Sequence, residues 1–288
     1  MGRVNKILSL DERTKDLLYL GSPLIEENIR EIEAIRNNHV IPKPNGRYFY
    51  ESLIYAIANQ RVRYESVTKF MKMLHSLSDE QMKDADLIYN IVKQSPIRWH
   101  TENRFEGAFN FMEQNGGIEK VVRDYIQNGF EVRNMLSKNV KYIQLKTATL
   151  WHLCLGGKDP LICLDIHVTR QLAHLGGNVR ESSYIPQTRN LSKNSRKKRE
   201  VSGLQPKEYL DAEKQVIDIM NNMGLIEKYR KEFFNGNGHL DGSMVNALLW
   251  WIGAKSFRGE SFNQLEFFPE IPKTSLISPY TPLKNEKA

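Results

Sequence analysis

The sequence predicts an all-α fold, and three observations lead to this prediction. Apolar residues recur at helical spacing along most of the chain, as in the stretch from Phe49 to Ile57. Helix-ending signals such as the pair Gly156-Gly157 separate successive apolar stripes. Strand-turn-strand alternation does not recur, and we find no internal repeat. We therefore expect helices packed around an apolar core.

The apolar stripes and their end signals divide the chain into a series of predicted helices. In chain order they cover residues 49–59, 67–74, 78–92, 104–113, 118–125, 132–136, 146–155, 166–175, 206–220 and 243–253. Ser78 and Gln81 match a capping box that would open one helix, and Asp165 stands at the N-cap position of another. Pro206 suits the first turn of the helix that follows it.

These helices organise the chain into a core with two flanking segments. Residues 1–45 are expected to form an N-terminal helical segment, and residues 46–255 to form the core. Residues 256–288 contain four prolines and predict an extended tail.

Length and composition exclude several classes of protein. With 288 residues, 40% hydrophobic and 26% charged, the chain is typical of a soluble globular protein. Its apolar run over residues 247–252 is far shorter than the roughly 20 residues that a bilayer crossing needs. Two cysteines, Cys154 and Cys163, cannot make a disulfide framework, a zinc site or an iron–sulfur cluster unaided. We expect an intracellular monomer with no membrane partner and no bound transition metal.

The charge of the chain is compatible with a polyanionic partner. Lys and Arg number 41 against 34 Asp and Glu, a net charge of +7, which an ordinary basic surface would also explain. Six basic residues and no acid lie between Arg189 and Arg199, inside a loop expected at about 183–205. Such a loop could bind phosphates or serve as a nuclear address.

The most informative stretch of the sequence runs from Asn139 to Arg170. A lysine, Lys146, stands at a predicted helix start, and Asp165 follows it at the start of the next helix. The positive end of a helix disfavours a protonated amine, and a neutral lysine amine is a nucleophile. On these two residues alone, an exposed lysine and an aspartate that only caps its helix are the simpler interpretation.

Three segments together resemble the helix-hairpin-helix DNA glycosylase superfamily, which contains endonuclease III and the 8-oxoguanine DNA glycosylases. The stretch 139–170 resembles the hairpin, at about 134–150, with its following Lys helix and Leu-Asp-Ile-His-Val-Thr-Arg pattern. Residues 49–62 resemble the family's early helix with its Gln-bearing loop, and residues 244–251 are similar to the C-terminal helix of the archaeal-type 8-oxoguanine enzymes. The resemblance implies two helical subdomains with the active site in the cleft between them.

The resemblance also implies an activity, that of a bifunctional DNA glycosylase/AP lyase. Such an enzyme flips a damaged base, here most of all 8-oxoguanine, out of the duplex before excising it. Lys146 would attack the sugar C1′ and form a Schiff base that permits β-elimination. Asp165 would stay ionised and stabilise the developing oxocarbenium charge. The partner would be double-stranded DNA, in the cytoplasm or nucleoid, or in the nucleus of a eukaryote.

Other residues acquire roles through the same resemblance. Gln60 would fill the gap left by the flipped nucleotide, and Asn246 and Trp250 would form the base pocket, while one of the paired tryptophans 250–251 packs in the core. Arg170 would bind phosphate or brace its helix, and we favour the bracing role. The predicted DNA-binding residues, through side chains or backbone N–H groups, are Gln60, Arg61, Lys141, Leu145, Thr147 and Arg170.

The sequence departs from the family pattern at the hairpin. Two glycines are usual there and bring carbonyl groups to a bound monovalent cation, but Tyr142 and Gln144 occupy those positions. We therefore expect no required cofactor, and the substitutions argue against a cation at the hairpin. An acid often reads the purine edge in archaeal-type enzymes, where this sequence has Asn246, with Asp241 nearby.

Several alternatives stay open on the sequence. The substrate could be another lesion or mismatch, such as an oxidised pyrimidine, or uracil or thymine opposite guanine. The chain could also be a non-catalytic helix-hairpin-helix DNA-binding module, in which Lys146 is only a cation. Asp165 argues against that module, because a carboxylate close to DNA costs affinity through repulsion. A helical scaffold that binds other proteins would explain the apolar stripes but not the Lys and Asp pair.

Overall fold

The computed structural model describes two compact units. The hairpin unit comprises the described residues of Asn37–Leu161, and the aspartate unit those of Met1–Arg36 and Ile162–Phe267. The described residues are 29–30, 32–33, 46–60, 62, 64–97, 102–157, 159–175, 177–179, 204–222, 230–234 and 238–258. Arg61, the basic loop at 189–199, most of the expected N-terminal segment and the tail beyond residue 258 lie outside them. None of the described helices is both long and apolar enough to cross a bilayer.

All regular secondary structure in the described residues of the hairpin unit is helical. Its helices are α1 (Gly46–Ala58), α2 (Tyr64–Leu74), α3 (Ala85–Gln94), α4 (Glu106–Gln114), α5 (Ile118–Gln127), α6 (Gly129–Asn139) and α7 (Leu145–Cys154), with a short 3₁₀ turn at Gln81–Lys83. The all-α prediction is thus confirmed for this unit. Helix boundaries mostly agree with the predicted ones to within a few residues, as expected when apolar periodicity defines the buried face.

Helices α1 and α7 form the centre of this unit. Every residue of α1 from Tyr50 onward is buried, and α1 packs against α5 and α7. The indole Nε1 of Trp151 donates a 2.9 Å hydrogen bond to the Ser52 hydroxyl, and the Tyr125 hydroxyl donates to the Ala148 carbonyl. These bonds satisfy polar groups that burial would otherwise leave unpaired. Helix α7 is therefore held on two sides.

The helix predicted over 78–92 is two elements. Ser78 and Gln81 do form the reciprocal capping bonds, at 2.8 and 3.2 Å, but they open only the 3₁₀ turn. Asp84 then adopts an extended conformation and its carboxylate accepts from the N–H groups of Asp86 and Leu87, both at 3.0 Å. Because an aspartate is as strong an N-cap as serine, it starts a new helix here.

A buried histidine fixes the end of α7. The imidazole of His152 is enclosed between Gly129 and Gly157, where a Cβ on either glycine would collide with the ring. Its Nε2 lies 3.8 Å from the Asp159 carboxylate, which also accepts the Gly129 N–H at 2.7 Å. Burial, together with the charge of Arg133, lowers the pKa of His152 from 6.5 to about 4.

This histidine predicts a loss of stability in acid. Since the folded-state pKa of about 4 lies below the unfolded value of 6.5, its stabilisation is full above pH 6.5 and declines as the pH falls towards 4. Urea unfolding should show that the wild-type protein loses about 2 kcal/mol more than His152→Gln between roughly pH 7.5 and pH 5. Equal pH dependence in wild type and His152→Gln would assign the acid sensitivity to other groups.

The aspartate unit is also helical. Its helices are α8 (Ile166–His174), α9 (Pro206–Asn222), α10 (Arg230–Phe233) and α11 (Gly242–Arg258). Helix α8 packs against α9 and α11. Within the described residues the β structure is confined to one isolated antiparallel bridge between Phe234 and Leu240. Sequence reasoning did not predict α10, because four residues are too few to display a period.

Candidate active site

The hairpin turn joins α6 to α7 without glycine. Val140 is extended and its carbonyl accepts the Ile143 N–H at 3.1 Å, and Gln144 is again extended with φ −87° and ψ 171°. Tyr142 between them has a φ of 71°, the left-handed region that favours glycine. That conformation costs a non-glycine residue about 1–2 kcal/mol. Tyr142, at the position where the family usually has its first glycine, thus adopts the backbone conformation that a glycine would adopt.

Contacts from elsewhere in the unit support this strained residue. The Gln60 amide Nε2 donates to the Tyr142 carbonyl at 2.7 Å, and Arg104 Nη1 donates to the Gln60 Oε1 at 3.2 Å. The Arg104 guanidinium lies 5.3 Å from the centroid of the Tyr142 ring, within range of a cation–π interaction. We call Gln60, Glu102, Arg104, Lys141 and Tyr142 the turn cluster.

Lys141 belongs to the same cluster. Its ammonium lies 4.8 Å from the Tyr142 ring centroid and 3.0 Å from the Glu102 carboxylate, and its side chain is largely exposed. An exposed ion pair contributes little to stability, so Lys141 can exchange its partner at small cost. Its role as a phosphate ligand stays a prediction. The same holds for the insertion of Gln60 into DNA, although both ends of its amide here bind the protein.

Lys146 has a distinctive position in the hairpin unit. All residues of α7 (Leu145–Cys154) except Lys146 are buried, and Lys146, in the first turn, is half-buried. The N-cap residue Gln144 makes no side-chain capping bond, so no side chain at that position covers the helix start. The backbone N–H groups of Leu145 and Thr147 lie in this first turn, where a helix favours an anion.

In the aspartate unit, Asp165 caps α8 as predicted. Its Oδ1 accepts the Val168 N–H at 2.8 Å, and its carbonyl accepts the Thr169 N–H at 2.9 Å. The residue is half-buried. The carboxylate of Asp165 thus acts as the N-cap of α8.

Asn246 holds the backbone that precedes Asp165. Its Oδ1 accepts the Cys163 N–H at 2.9 Å and its Nδ2 donates to the Gly242 carbonyl at 2.7 Å, with the side chain buried. Nearby, Asp241 Oδ1 accepts from the N–H groups of Ser243 and Met244 and thereby caps α11. The predicted base-reading role of Asn246, and that of the nearby Asp241, stay predictions.

The remaining predicted residues of this unit differ in exposure. Trp251 is fully buried whereas Trp250 is half-buried, which agrees with the expectation that one of the pair packs in the core. Arg170 is only 9% exposed, as suits the bracing role that we favoured for it. Base stacking by Trp250 stays a prediction.

Sequence reasoning missed four residues that make these contacts. Glu102 and Arg104 belong to the turn cluster, and Tyr209 and Glu213 bind the backbone just before Asp165. On α9 the sequence does carry an indication, because Glu213 lies four residues after Tyr209 and therefore on the same apolar face of the helix. Glu213 is indeed 3% exposed.

Comparison with known proteins defines the class of fold. No protein-family model matches the chain, and no curated protein matches it by sequence. By structure, the chain has the helical fold of a DNA glycosylase/lyase, so the resemblance in its motifs is confirmed for the fold. It is similar to the crystal structure of the Methanocaldococcus jannaschii 8-oxoguanine glycosylase/lyase in complex with 15mer DNA containing 8-oxoguanine. The two chains are 17% identical, with 88% of this chain and 97% of that chain covered and a TM-score of 0.52.

Proposed function

We propose that the protein is a DNA glycosylase/AP lyase that releases a damaged base through a Schiff base on Lys146. One observation carries the proposal: the single half-buried residue of the otherwise buried helix α7 is a lysine, and it directly follows the hairpin turn. The helix dipole disfavours a protonated lysine in the first turn, and the neutral amine is a nucleophile. The fold shared with a glycosylase/lyase supports the same function.

The chemistry follows from the two ionisable residues. The neutral Lys146 amine attacks C1′ while the bond from C1′ to the base breaks, and the departing base takes that electron pair and a proton. The carboxylate of Asp165 stabilises the positive charge that develops on the sugar and accepts a proton from the attacking amine. Opening of the sugar ring gives the Schiff base. Loss of a C2′ proton then expels the 3′ phosphate, and water hydrolyses the imine.

Phosphate binding would come from the first turn of α7. Its backbone N–H groups at Leu145 and Thr147 lie in the first turn, at the positive end of the helix dipole. Helix N-termini commonly bind DNA phosphates. Lys141, exposed and paired to the exposed Glu102, would add a second contact. Of the pair Trp250 and Trp251, the half-buried Trp250 would stack on a flipped base.

Borohydride trapping tests this function. The protein is incubated with duplexes carrying one 8-oxoguanine, uracil, thymine glycol, mismatched thymine or abasic site, and borohydride reduces any Schiff base to a stable adduct. We expect most adduct with 8-oxoguanine. More adduct with a pyrimidine lesion would keep the mechanism and change the substrate. Tight binding without any adduct would instead identify a non-catalytic DNA-binding module.

The hairpin, in this proposal, works without a monovalent cation. The Tyr142 carbonyl already accepts from Gln60, the Val140 carbonyl from Ile143, and the charges of Arg104 and Lys141 lie about the Tyr142 ring. A further cation at the turn would be repelled by the positive charges of Arg104 and Lys141. The amide of Gln60, itself oriented by Arg104, supplies the positive dipole that an ion would supply.

Ion replacement tests the cation-free hairpin. With potassium exchanged for tetramethylammonium at constant ionic strength, the Tm should not change. The Kd for duplex DNA should stay within about 2-fold of its value in potassium. Gln60→Ala should lower the free energy of unfolding by about 1–3 kcal/mol, because it leaves a turn carbonyl unpaired. Gln114→Ala, an exposed glutamine of the same unit, is the control. A rise in Tm specific to potassium in the wild-type protein would overturn the proposal.

A further inference from the structure

Three side chains bind consecutive peptide groups just before Asp165. In the non-helical segment Ile162–Leu164, which we call the lead-in segment, the Ile162 N–H donates to Glu213 Oε1 at 2.9 Å. The Cys163 N–H donates to Asn246 Oδ1 at 2.9 Å, and the Leu164 N–H to the Tyr209 hydroxyl at 3.2 Å. The same hydroxyl donates to the Ile162 carbonyl at 2.6 Å.

These contacts supply hydrogen-bond acceptors to a segment that lies outside the helices. Each buried N–H must find an acceptor, and here all three find one on a side chain. Tyr209, Glu213 and Asn246 are themselves 4%, 3% and 8% exposed. Side chains of two helices, α9 and α11, thus hold all three peptide N–H groups of the segment. The arrangement therefore indicates that the position of this segment matters.

What the segment positions is Asp165. The Asp165 N–H donates to the Cys163 carbonyl at 2.8 Å, so the aspartate backbone is tied to the middle of the lead-in segment. Its side chain is tied to α8 through the cap on Val168. Residues of α9 and α11 thus define where the segment lies, and α8 defines how the carboxylate is turned.

We propose that Tyr209, Glu213 and Asn246 are positioning residues that hold the Asp165 carboxylate in place through the lead-in segment. The catalytic consequence rests on the proposed function. Asn246 acts in this scheme as a backbone ligand and not as a reader of the base. A misplacement of about 1 Å in a catalytic group can lower a rate about 100-fold, so small shifts of the segment should be visible in kinetics.

Paired variants separate the hydrogen bond from the side chain's bulk. Glu213→Gln keeps the oxygen acceptor, whereas Glu213→Met keeps similar volume without it. Asn246→Leu likewise removes the acceptor at similar volume. Tyr209→Phe removes only the hydroxyl. Lys214→Gln, exposed and adjacent to Glu213 on α9, is the control. For each protein we would measure single-turnover base release, the Kd for duplex carrying a non-cleavable lesion analogue, and amide hydrogen exchange.

The acceptor-free variants should release base about 10–100-fold more slowly, with the Kd for duplex within about 3-fold of wild type. Amide exchange should accelerate in residues 162–165 before it does in α8, α9 or α11. Glu213→Gln should recover most of the rate. Equal loss of rate in Glu213→Gln and Glu213→Met, or faster exchange across the whole unit, would overturn the proposal and leave a structural role.

The exchange measurement also separates this proposal from the proposed function. If the wild-type protein released no base from any duplex, the function would fail, and exchange would still report on the lead-in segment. Local acceleration in the acceptor-free variants would then support the positioning of Asp165. Unchanged exchange at residues 162–165 would overturn it, whatever the activity.

Discussion

Lys146→Gln should abolish both the borohydride-trapped adduct and strand cleavage, a loss of at least about 10³-fold in the single-turnover rate. The amide has no nucleophilic nitrogen, so neither the attack on C1′ nor the Schiff base is available to it. Folding should be unaffected, since Lys146 is the residue of α7 that is not buried. Binding to damaged duplex should survive within a few-fold, because one charge among several phosphate contacts is removed.

Lys141→Gln is the matched control for this loss. It makes the same chemical change five residues earlier, on an exposed lysine that pairs with Glu102. We expect weaker DNA binding with a shallower salt dependence, and a trapped adduct as in the wild-type protein. An adduct that persists in Lys146→Gln would show that another amine attacks the sugar. Loss of the adduct in Lys141→Gln alone would identify that amine.

The elements that the sequence predicted best are those with local causes. Apolar periodicity located the helices, and the Asp165 cap depends only on an N–H three residues along the chain. The turn cluster could not be predicted in this way. Tyr142 breaks the expectation of glycine in the hairpin, and its conformation is supported by Gln60, which lies 82 residues earlier.

Asn246 shows the same limit for the candidate site. The sequence placed it on the C-terminal helix, where an alignment with the family suggested a base-reading role. In the structure its amide oxygen accepts the N–H of Cys163, 83 residues earlier, and that pairing depends on how α11 packs against the lead-in segment. The base-reading role stays a prediction. Side chains that satisfy buried backbone groups leave no sequence pattern of their own, because an amide or carboxylate suits many partners.

Asp165→Asn should slow base release by about 10²–10⁴-fold while leaving the fold intact. Asparagine caps a helix about as well as aspartate, so the bond to Val168 survives and the free energy of unfolding should change by less than about 0.5 kcal/mol. What disappears is the negative charge beside the developing oxocarbenium ion. Asp165→Ala removes the cap as well and should cost about 1 kcal/mol more in stability with a similar loss of rate.

The comparison between two caps makes this result interpretable. Asp84 caps α3 with the same kind of bonds, so Asp84→Asn makes an identical change at an aspartate without a proposed chemical role. Its rate of base release should stay near that of the wild-type protein. If Asp165→Asn and Asp84→Asn were equally active, the Asp165 carboxylate would be a cap alone, and the positive charge on the sugar would need another stabilising group. If only Asp165→Asn is slow at unchanged stability, the charge and not the cap is what the reaction uses.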